Sequence, residues 1–281
     1  MAPWFDISEV GQDIFCIQES VHVQSFLVNG RHSSLLIDTG MGFLNIRRAI
    51  APLLKPHLQV VNTHWHFDHI GGNNLFPRIG ISPLEAPLIQ KPIPASLLVP
   101  FYIELCREWE SPLPEAESGF NAEEYAIDGF NGEIEPLEDG ARIDLGGRHL
   151  TVIETPGHTH GSLSFYDSLT QGLFTGDFVY DGSLYAQFTD SDLVAYRDSI
   201  HRLSTDYKSI SRLYTGHNRP CLEPEHIERI HDLFQAMDQG KTDIAPSQEV
   251  WGQCIRHEFQ GVRILVPPEG SSGYRPVGGP V

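Results

Sequence analysis

The stretch Thr63-His-Trp-His-Phe-Asp-His69 places three imidazoles and one carboxylate within six residues, directly after the apolar segment His57 to Val61. Core packing does not explain such a run, because each buried polar side chain would need its own hydrogen-bond partner. Imidazole nitrogen and carboxylate oxygen are ligand atoms that Zn²⁺ and other first-row dications take in open catalytic sites. The stretch therefore predicts a metal site on the loop that follows a strand.

The spacing inside this stretch indicates two metal positions rather than one. Because side chains alternate along an extended chain, His64 and His66 lie on one side of the loop. Asp68 and His69 stand at the turn into the next element and point toward a second position.

Three later loops repeat one pattern, in which an apolar strand is followed by a tight glycine-containing loop and a ligand-type side chain. The strand carries that residue to the edge of a sheet, and the glycine lets the backbone turn it inward. The loops are Thr155-Pro-Gly-His158, Thr175-Gly-Asp177 and Thr215-Gly-His217. A surface-loop residue is the alternative for any one of them, but together with the first stretch they predict a shared metal centre.

From Asp38 to His217 this pattern resembles the metallo-β-lactamase superfamily. The resemblance implies that His64, His66 and His158 hold one metal ion. It implies that Asp68, His69 and His217 hold the other, with Asp177 bridging the two. With His69 as a ligand and Asp177 at the bridge, the chain is more similar to glyoxalase-II-like hydrolases and N-acyl-homoserine lactonases than to the β-lactamases with a Cys ligand.

Catalytic roles are expected for two residues. Asp68 would return a proton to the leaving group, with a metal-bound water as the alternative donor. Tyr180 stands three residues after Asp177, where the lactonases carry a Tyr that hydrogen-bonds the substrate carbonyl. A core or rim tyrosine is the alternative for Tyr180. Asp38 is expected to support the metal-binding loop, because a metal-bound His commonly needs an orienting partner, and the alternative is a simple turn residue.

The order of the elements predicts an α/β (α+β) fold, a four-layer αβ/βα sandwich formed by residues 1–281 as a single domain, with the site at the edge where the halves meet. Strands are expected at Ile14 to Gln18, Val21 to Val28, Ser33 to Ile37, Ile143 to Glu154, Ile210 to Tyr214 and Arg256 to Val266. Helices are expected at Leu44 to Leu54, Leu97 to Trp109, Pro224 to Met237 and Ser191 to Leu203, the last capped by Asp190 or Ser191.

Residues 84–135 fit this fold poorly, and we expect a lid-like insertion over the metal centre. The segment is rich in proline and carries aromatic residues that look exposed, namely Phe101, Tyr102, Trp109, Phe120, Tyr125 and Phe130. A small satellite core or a homodimer contact is the alternative. Residues 270–281 are expected to form a loose tail.

Composition excludes several classes of function. The formal net charge of −18 argues against a nucleic-acid partner, because phosphate binding needs a basic surface. No apolar stretch is long enough to span a membrane, and no secretory signal is visible. Cys16, Cys106, Cys221 and Cys254 show no C-x-x-C spacing, so buried free thiols in a reducing cytoplasm are expected.

These observations predict a hydrolase that holds two Zn²⁺ ions, with Mn²⁺ or Fe²⁺ as alternatives. It would cleave a carboxylic ester, lactone or thioester by attack of a metal-bridging hydroxide. A mononuclear iron persulfide dioxygenase is a second hypothesis, and a catalytically silent ligand-binding protein is a third.

The expected substrate is a small molecule with an acyl or aromatic group, but the sequence gives conflicting indications about its charge. The stretch Gly176 to Leu184 resembles acyl-CoA thioesterases of the superfamily. Between Glu104 and Asp139, however, twelve acids face a single base, Arg107, and this charge would repel a polyanion.

Overall fold

Two β-sheets face each other, and helices cover the outer surface of both. The structure is a computed structural model that describes residues 4–20, 22–108, 121–249, 252–271 and 273. The strands are β1 (Phe5–Gly11), β2 (Ile14–Glu19), β3 (Gln24–Asn29), β4 (Ser33–Ile37), β5 (His57–Val61), β6 (Arg78–Ile81), β7 (Glu133–Pro136), β8 (Arg142–Asp144), β9 (His149–Glu154), β10 (Leu163–Asp167), β11 (Gly172–Gly176), β12 (Ser183–Tyr185), β13 (Arg212–Thr215), β14 (Cys221–Leu222), β15 (Asp243–Glu249), β16 (Gly252–Phe259) and β17 (Val262–Val266). The helices are α1 (Ile46–Ile50), α2 (Phe67–Ile70), α3 (Ala86–Ile89), α4 (Ala95–Glu108), α5 (Leu193–Asp206) and α6 (Glu225–Asp238).

The first sheet contains strands β1 to β7 in sequence order, antiparallel from β1 to β4 and parallel from β4 to β7. The second sheet has the order β14-β13-β11-β10-β9-β8, in which only β11 and β13 are parallel neighbours. A smaller sheet has the order β12-β17-β16-β15. The carboxyl ends of β5, β9, β11 and β13 carry the loops that the sequence predicts to bear ligands.

Alternation along the strands gives the first sheet two apolar faces, because successive side chains point to opposite sides. Phe26 and Leu35 pack inward against the second sheet, where the Phe26 and Phe174 ring centroids lie 5.4 Å apart. Leu27 and Leu36 point outward and pack against α1. The first half is therefore a helical layer on a sheet.

The second half repeats this arrangement on the opposite side. Ile153 and Leu213 point away from the first sheet and pack against α5 and α6, which contribute buried Ile200 and Ile230. The layers therefore run helix, sheet, sheet, helix, and the predicted four-layer αβ/βα sandwich is confirmed. No helix in the described part of the chain is long and apolar enough to cross a membrane.

Helix α5 begins later than predicted, and its cap is neither Asp190 nor Ser191. Asp192 is the N-cap, since its carboxylate accepts the backbone N–H groups of Val194 and Ala195, both at 2.9 Å. Asp190 turns inward instead and is buried. The sequence places three capping-type residues in a row, so the cap prediction was wrong by one or two positions.

The C-terminal region contains more strands than the single one predicted at Arg256 to Val266. That segment is two strands, β16 and β17, joined by a turn at Gln260 and Gly261 with φ of 50° and 80°. Two successive positive φ values are typical of a tight hairpin turn. Strand β15 pairs with β16 along seven residue pairs, and β1 is a further strand that the sequence did not indicate.

In the described part of residues 84–135, apolar side chains pack into a small cluster beside the metal-binding loop, and the expectation of exposed aromatic residues is wrong for three of the four that the structure describes. Tyr102, Tyr125 and Phe130 are buried, while Trp109 and Phe120 lie outside the described residues. Tyr102 and Tyr125 pack around Phe43, with ring centroids at 4.3 and 4.5 Å. The lid role remains a prediction, and residue 272 and residues 274–281 of the predicted loose tail are not described.

Cys16 and Cys254 are buried free thiols and Cys221 is a half-buried one, as expected, whereas the side chain of Cys106 lies outside the described part of the chain.

Candidate metal centre

Both sheets contribute to one cluster of imidazoles and carboxylates at their shared edge. The first sheet supplies the loop after β5 and the short helix α2, and the second sheet supplies the loops after β9, β11 and β13. Together they bring close all seven predicted ligand side chains, His64, His66, Asp68, His69, His158, Asp177 and His217. Parallel strand ends on facing sheets explain why residues so distant in sequence meet here.

His64, His66 and His158 form the first group, in which each residue offers a ligand atom within 4.8 Å of the others. His66 Nδ1 lies 3.0 Å from His158 Nε2. Three buried imidazoles at this spacing match the ligand type and number of a Zn²⁺ site that keeps a further position open.

Asp68, His69 and His217 form the second group, again with ligand atoms within 4.8 Å of one another. His217 Nε2 lies 3.3 Å from Asp68 Oδ2, and His69 Nε2 lies 3.7 Å from the same oxygen. The side chain of His217 is 20% exposed and that of Asp68 is 14% exposed, so this group faces the opening of the site.

Asp177 lies between the two groups. Its Oδ1 is 3.0 Å from His69 Nε2, and its Oδ2 is 3.0 Å from His217 Nε2 and 3.7 Å from His158 Nε2. Gly216 leaves room for this carboxylate, because a Cβ at that position would lie 2.7 Å from Asp177 Oδ1. The carboxylate therefore contacts residues of both groups, which is the position that a bridging ligand requires.

Hydrogen bonds fix the tautomers of the histidines. Thr63 Oγ1 donates to Asp38 Oδ2 at 2.8 Å, so it can only accept from His64 Nδ1, which lies 3.0 Å away. His69 Nδ1 donates to the same Asp38 oxygen at 2.9 Å, and the alternative that Asp38 is a simple turn residue does not describe these contacts. The Nε2 atoms of His64 and His69 are thus left with a lone pair for a metal ion.

His158 is oriented in the same way from the other sheet. Its Nδ1 donates to the backbone carbonyl of Tyr185 at 2.8 Å, because a carbonyl oxygen only accepts. Its Nε2 therefore faces the cluster with its lone pair free.

Unsatisfied polar atoms show that the cluster fits a cation. Within the described residues, His64 Nε2, His69 Nε2 and Asp177 Oδ1 are buried and make no well-aligned hydrogen bond. Such atoms each cost about 1 to 3 kcal/mol when they are left without a partner. A dication bound among these donors would satisfy them together.

Burial and charge act on the cluster in opposite directions. Burial lowers the pKa of His158 to about 4 and lowers the pKa of His64 well below its usual value. Burial also disfavours the charged form of His217, but the carboxylate of Asp177 outweighs it and raises the pKa of His217 to about 10. The carboxylate side of the cluster therefore holds positive charge strongly.

The family model described as the Metallo-beta-lactamase superfamily matches residues 20–217, the region that carries every residue of this cluster. The chain belongs to that superfamily.

Individual relatives agree with this assignment. The chain is 29% identical over 233 residues to the acyl-coenzyme A thioesterase MBLAC2 of Homo sapiens, and the match covers 76% of this chain and 81% of that protein. It is 24% identical over 204 residues to the probable polyketide biosynthesis zinc-dependent hydrolase PksB of Bacillus subtilis (strain 168), covering 72% of this chain and 74% of that one. The solved structure of a metallo-beta-lactamase from Pontibacter korlensis has a TM-score of 0.57 at 19% identity, covers 82% of this chain and 99% of that chain, and shares the fold.

Two buried acids that support the candidate metal centre were not predicted from the sequence. Asp190 accepts the indole N–H of Trp65 at 2.8 Å, and the same oxygen lies 3.6 Å from His66 Nε2. This arrangement leaves Nδ1 of His66 directed at the cluster. The position of Asp190 next to a helix start predicts a helix cap, and only the folded structure shows that its side chain turns inward.

Glu85 is the second buried acid that was not predicted from the sequence. Its Oε1 accepts hydrogen bonds from Thr159 Oγ1 and from the Gly161 N–H, the latter at 3.1 Å, so it holds the loop that carries His158. Burial raises the pKa of Glu85 to about 7. Its place in sequence, far from the glycine-containing loops, gave no signal of this contact.

Tyr180 lies beside the second group, with its ring centroid 5.6 Å from that of His217. Its hydroxyl donates to the backbone carbonyl of Ser183. His22 also lies near this group, and its carbonyl accepts the N–H of Asn218 at 3.1 Å. His160 is exposed, two residues beyond His158.

Proposed function

We propose that this chain is a dinuclear metal-dependent hydrolase that cleaves acyl esters and thioesters, with lactones as a related substrate class. The observation that carries the proposal is the position of Asp177 between two sets of nitrogen and oxygen donors, each large enough for one dication. The similarity to an acyl-coenzyme A thioesterase and to a zinc-dependent hydrolase supports the choice of reaction and metal.

His64, His66 and His158 would hold one Zn²⁺, and Asp68, His69 and His217 the other, with Asp177 shared. Bound dications would lower the pKa of a coordinated water into the neutral range and polarise the substrate carbonyl. Asp38, Tyr185 and Asp190 would keep the imidazoles in the tautomer and orientation that this requires.

Asp68 is the residue we propose for proton transfer to the leaving group. Its carboxylate is partly exposed at the opening, unlike that of Asp177, and lies 3.3 Å from His217 Nε2. A departing alkoxide or thiolate needs a proton, and the Asp68 carboxylate can take the proton that the attacking water releases and pass it to the leaving group.

Apolar rings on both flanks of the cluster favour a substrate with an acyl or aromatic group. The ring of Phe188 lies 5.4 Å from that of His66 and 6.0 Å from that of His158. On the other flank Phe67 packs against Phe101 of α4, with centroids 5.0 Å apart. We propose that α4 and the segment around it form one wall of the acyl site, which is the lid role predicted for residues 84–135.

Tyr180→Phe tests whether the tyrosine acts on the substrate carbonyl. During the reaction the hydroxyl would leave the Ser183 carbonyl and donate to the developing oxyanion. In that case the variant should have a kcat about tenfold lower, which is a smaller loss than for an oxyanion donor that acts without a metal ion. Metal content should not change. If kcat stays the same and only the melting temperature falls, the hydroxyl serves Ser183 alone, and Tyr180 is structural.

The decisive experiment combines metal analysis with a substrate panel. Protein purified without added metal is examined by elemental analysis, and the zinc-loaded protein is assayed with acyl-CoAs, acyl-homoserine lactones and aryl esters. We expect two metal ions per chain and hydrolysis that improves with acyl chain length. A single iron in active protein would support the persulfide dioxygenase hypothesis instead, and inactivity on the whole panel would leave a ligand-binding protein.

A further inference from the structure

The first sheet is split at one end. Strands β4 and β5 pair along five residue pairs and β6 and β7 along four, but β5 and β6 pair only at Val61 and Gly80. Toward their amino ends β5 and β6 therefore diverge. The gap is a cleft of about 530 Å³, a size within the range of about 300 to 1,000 Å³ that is typical of small-molecule sites.

The inner wall of this cleft is apolar. Val60, Phe76, Leu137 and Ile143 line it and are buried. At the inner end of the cleft β5 and β6 are still joined, because Asn62 donates its N–H to the Gly80 carbonyl at 2.9 Å. A hydrocarbon chain inserted from the opening would therefore meet apolar side chains.

The rim of the cleft is basic in a protein that is strongly acidic. Arg47, Lys55 and Arg78 come from three different elements and line the opening together with one acid, Glu135. The whole chain has only 19 Lys and Arg against 37 Asp and Glu, so three bases at one opening run against its overall charge.

These bases are not neutralised equally by acids. Arg78 pairs with Glu133 at 2.7 Å and approaches Glu135 at 3.7 Å, whereas Arg47 donates to the Leu75 carbonyl at 3.1 Å. Among the ion pairs between described residues, none includes Arg47 or Lys55. Two positive charges are therefore available to an anionic head group.

We propose that this cleft binds an amphiphile with an anionic head group at the rim and an unbranched hydrocarbon chain between β5 and β6. It is separate from the metal centre, because the metal-binding loop follows the carboxyl end of β5 and the cleft opens at the amino end. The mouth of the cleft lies one five-residue strand, about 17 Å, from the metal-binding loop, and its inner end reaches Val61. The site goes beyond the proposed hydrolase activity and does not depend on it.

The first test is calorimetric titration of the zinc-loaded protein with decanoate, decyl phosphate, decanol and acetate. We expect decanoate to bind, acetate not to bind, and affinity to fall about fourfold for each methylene removed, as hydrocarbon burial dictates. Decanol should bind several-fold more weakly because it lacks the charge. The comparison of decanoate with decyl phosphate identifies the preferred head group, and equal affinity for decanol and decanoate would contradict the proposal.

Two sets of variants locate the binding. Arg47→Gln combined with Lys55→Gln should weaken decanoate by about 5- to 25-fold, since each exposed charge contributes up to about 1 kcal/mol. The control pair, Lys208→Gln with Lys241→Gln, removes the same charge from exposed positions away from the cleft and should bind like the unaltered protein. Leu58→Trp should abolish binding by filling the cleft without a change in charge.

Hydrolysis separates this site from the metal centre. The cleft variants should keep the kcat/KM of the unaltered protein, because none of these residues lies in the metal cluster. Any of three results would overturn the proposal. Decanoate could still bind to Leu58→Trp, the control pair could weaken binding as much as the cleft pair does, or binding could disappear only when the metal is chelated. If Leu58→Trp does not fold, the charge pair and its control decide the question alone.

Discussion

Asp177 contacts both groups of the metal centre, so its side chain should decide whether the second metal ion is kept. We expect Asp177→Ala to reduce bound metal from two ions to one per chain, with the loss mainly from the Asp68, His69 and His217 group. The fold should persist, because the carboxylate makes its contacts with His69, His158 and His217 of the cluster. Elemental analysis and circular dichroism measure the two effects.

The control for this prediction is Asp181→Ala, which removes an acid from the same loop. The carboxylate of Asp181 lies 3.8 Å from the exposed Arg219 guanidinium, and its backbone carbonyl, which the variant keeps, accepts from the Asn218 side chain. This variant should retain both metal ions, and an equal loss of metal in the two variants would contradict a bridging role for Asp177.

Glu85 gives a prediction about pH. Its pKa is raised by burial from 4.5 to about 7, so the folded state holds a proton that the unfolded state has already released. Its contribution to stability is therefore complete below about pH 4.5 and is lost as pH rises toward 7. In Glu85→Gln the side chain stays neutral at every pH, so the variant does not lose this contribution. The free energy of unfolding of the variant minus that of the unaltered protein should therefore rise by about 2 to 3 kcal/mol from pH 5 to pH 8.

Urea unfolding of metal-free protein at several pH values measures this effect, because a nearby dication would shift the same pKa downward. Glu228→Gln on the exposed face of α6 is the control for the loss of one carboxylate. A difference between Glu85→Gln and the unaltered protein that does not change with pH would show that Glu85 is not protonated in the folded state near neutrality.

At the scale of a single element, α5 depends on its cap. Asp192→Ala leaves the N–H groups of Val194 and Ala195 without their partner and should cost about 1 kcal/mol of stability. Asp192→Asn should cost less, since asparagine also caps. Thermal unfolding measures both, and Asp198→Ala, an exposed position within the same helix, is the control. A loss that is no larger for Asp192→Ala than for Asp198→Ala would assign the cap elsewhere.

The elements that carry ligands were predictable because each is a local signal, an apolar strand followed by glycine and a His or Asp. The edge strands β1 and β15 were not, because about half of each strand is solvent-exposed and neither shows a continuous apolar run. Asp190 and Glu85 were missed for a different reason. Their partners, Trp65 and Thr159, are distant in sequence, and a single sequence does not show which buried acid meets which loop.

Across the whole molecule, the two sheets are also joined at the edge opposite the metal centre. Arg148 donates two hydrogen bonds to Asp167, at 2.9 and 2.6 Å, and both side chains are buried. The same guanidinium donates to the carbonyls of Gln12 and Asn29 in the first sheet. Arg148 therefore connects the turn before β9 to two turns of the facing sheet.

Arg148→Met should lower the free energy of unfolding by about 3 to 5 kcal/mol, because it leaves the Asp167 carboxylate buried without its partner. The double variant Arg148→Met with Asp167→Asn should recover part of that loss, because asparagine is neutral and its Oδ1 still accepts one of the hydrogen bonds that Leu169 and Thr170 donate. Arg202→Met, which breaks the exposed pair with Asp139, should cost no more than about 1 kcal/mol. Urea unfolding of metal-loaded protein compares them, and similar losses for Arg148→Met and Arg202→Met would contradict a structural role for the buried pair.

The two ends of the sandwich thus differ in chemistry, and a chelator is expected to act only on the end that carries the candidate metal centre. If the proposed metal ions are removed, the loops after β5, β9, β11 and β13 lose one of the contacts between the two sheets, while the Arg148 contacts at the far end persist. The backbone amides of those loops should then exchange with deuterium faster, and the amides near Arg148 should keep their protection. Metal-free protein would therefore become mobile at the metal-site end and stay ordered near Arg148. Its metal-site loops would be the first region exposed to proteases.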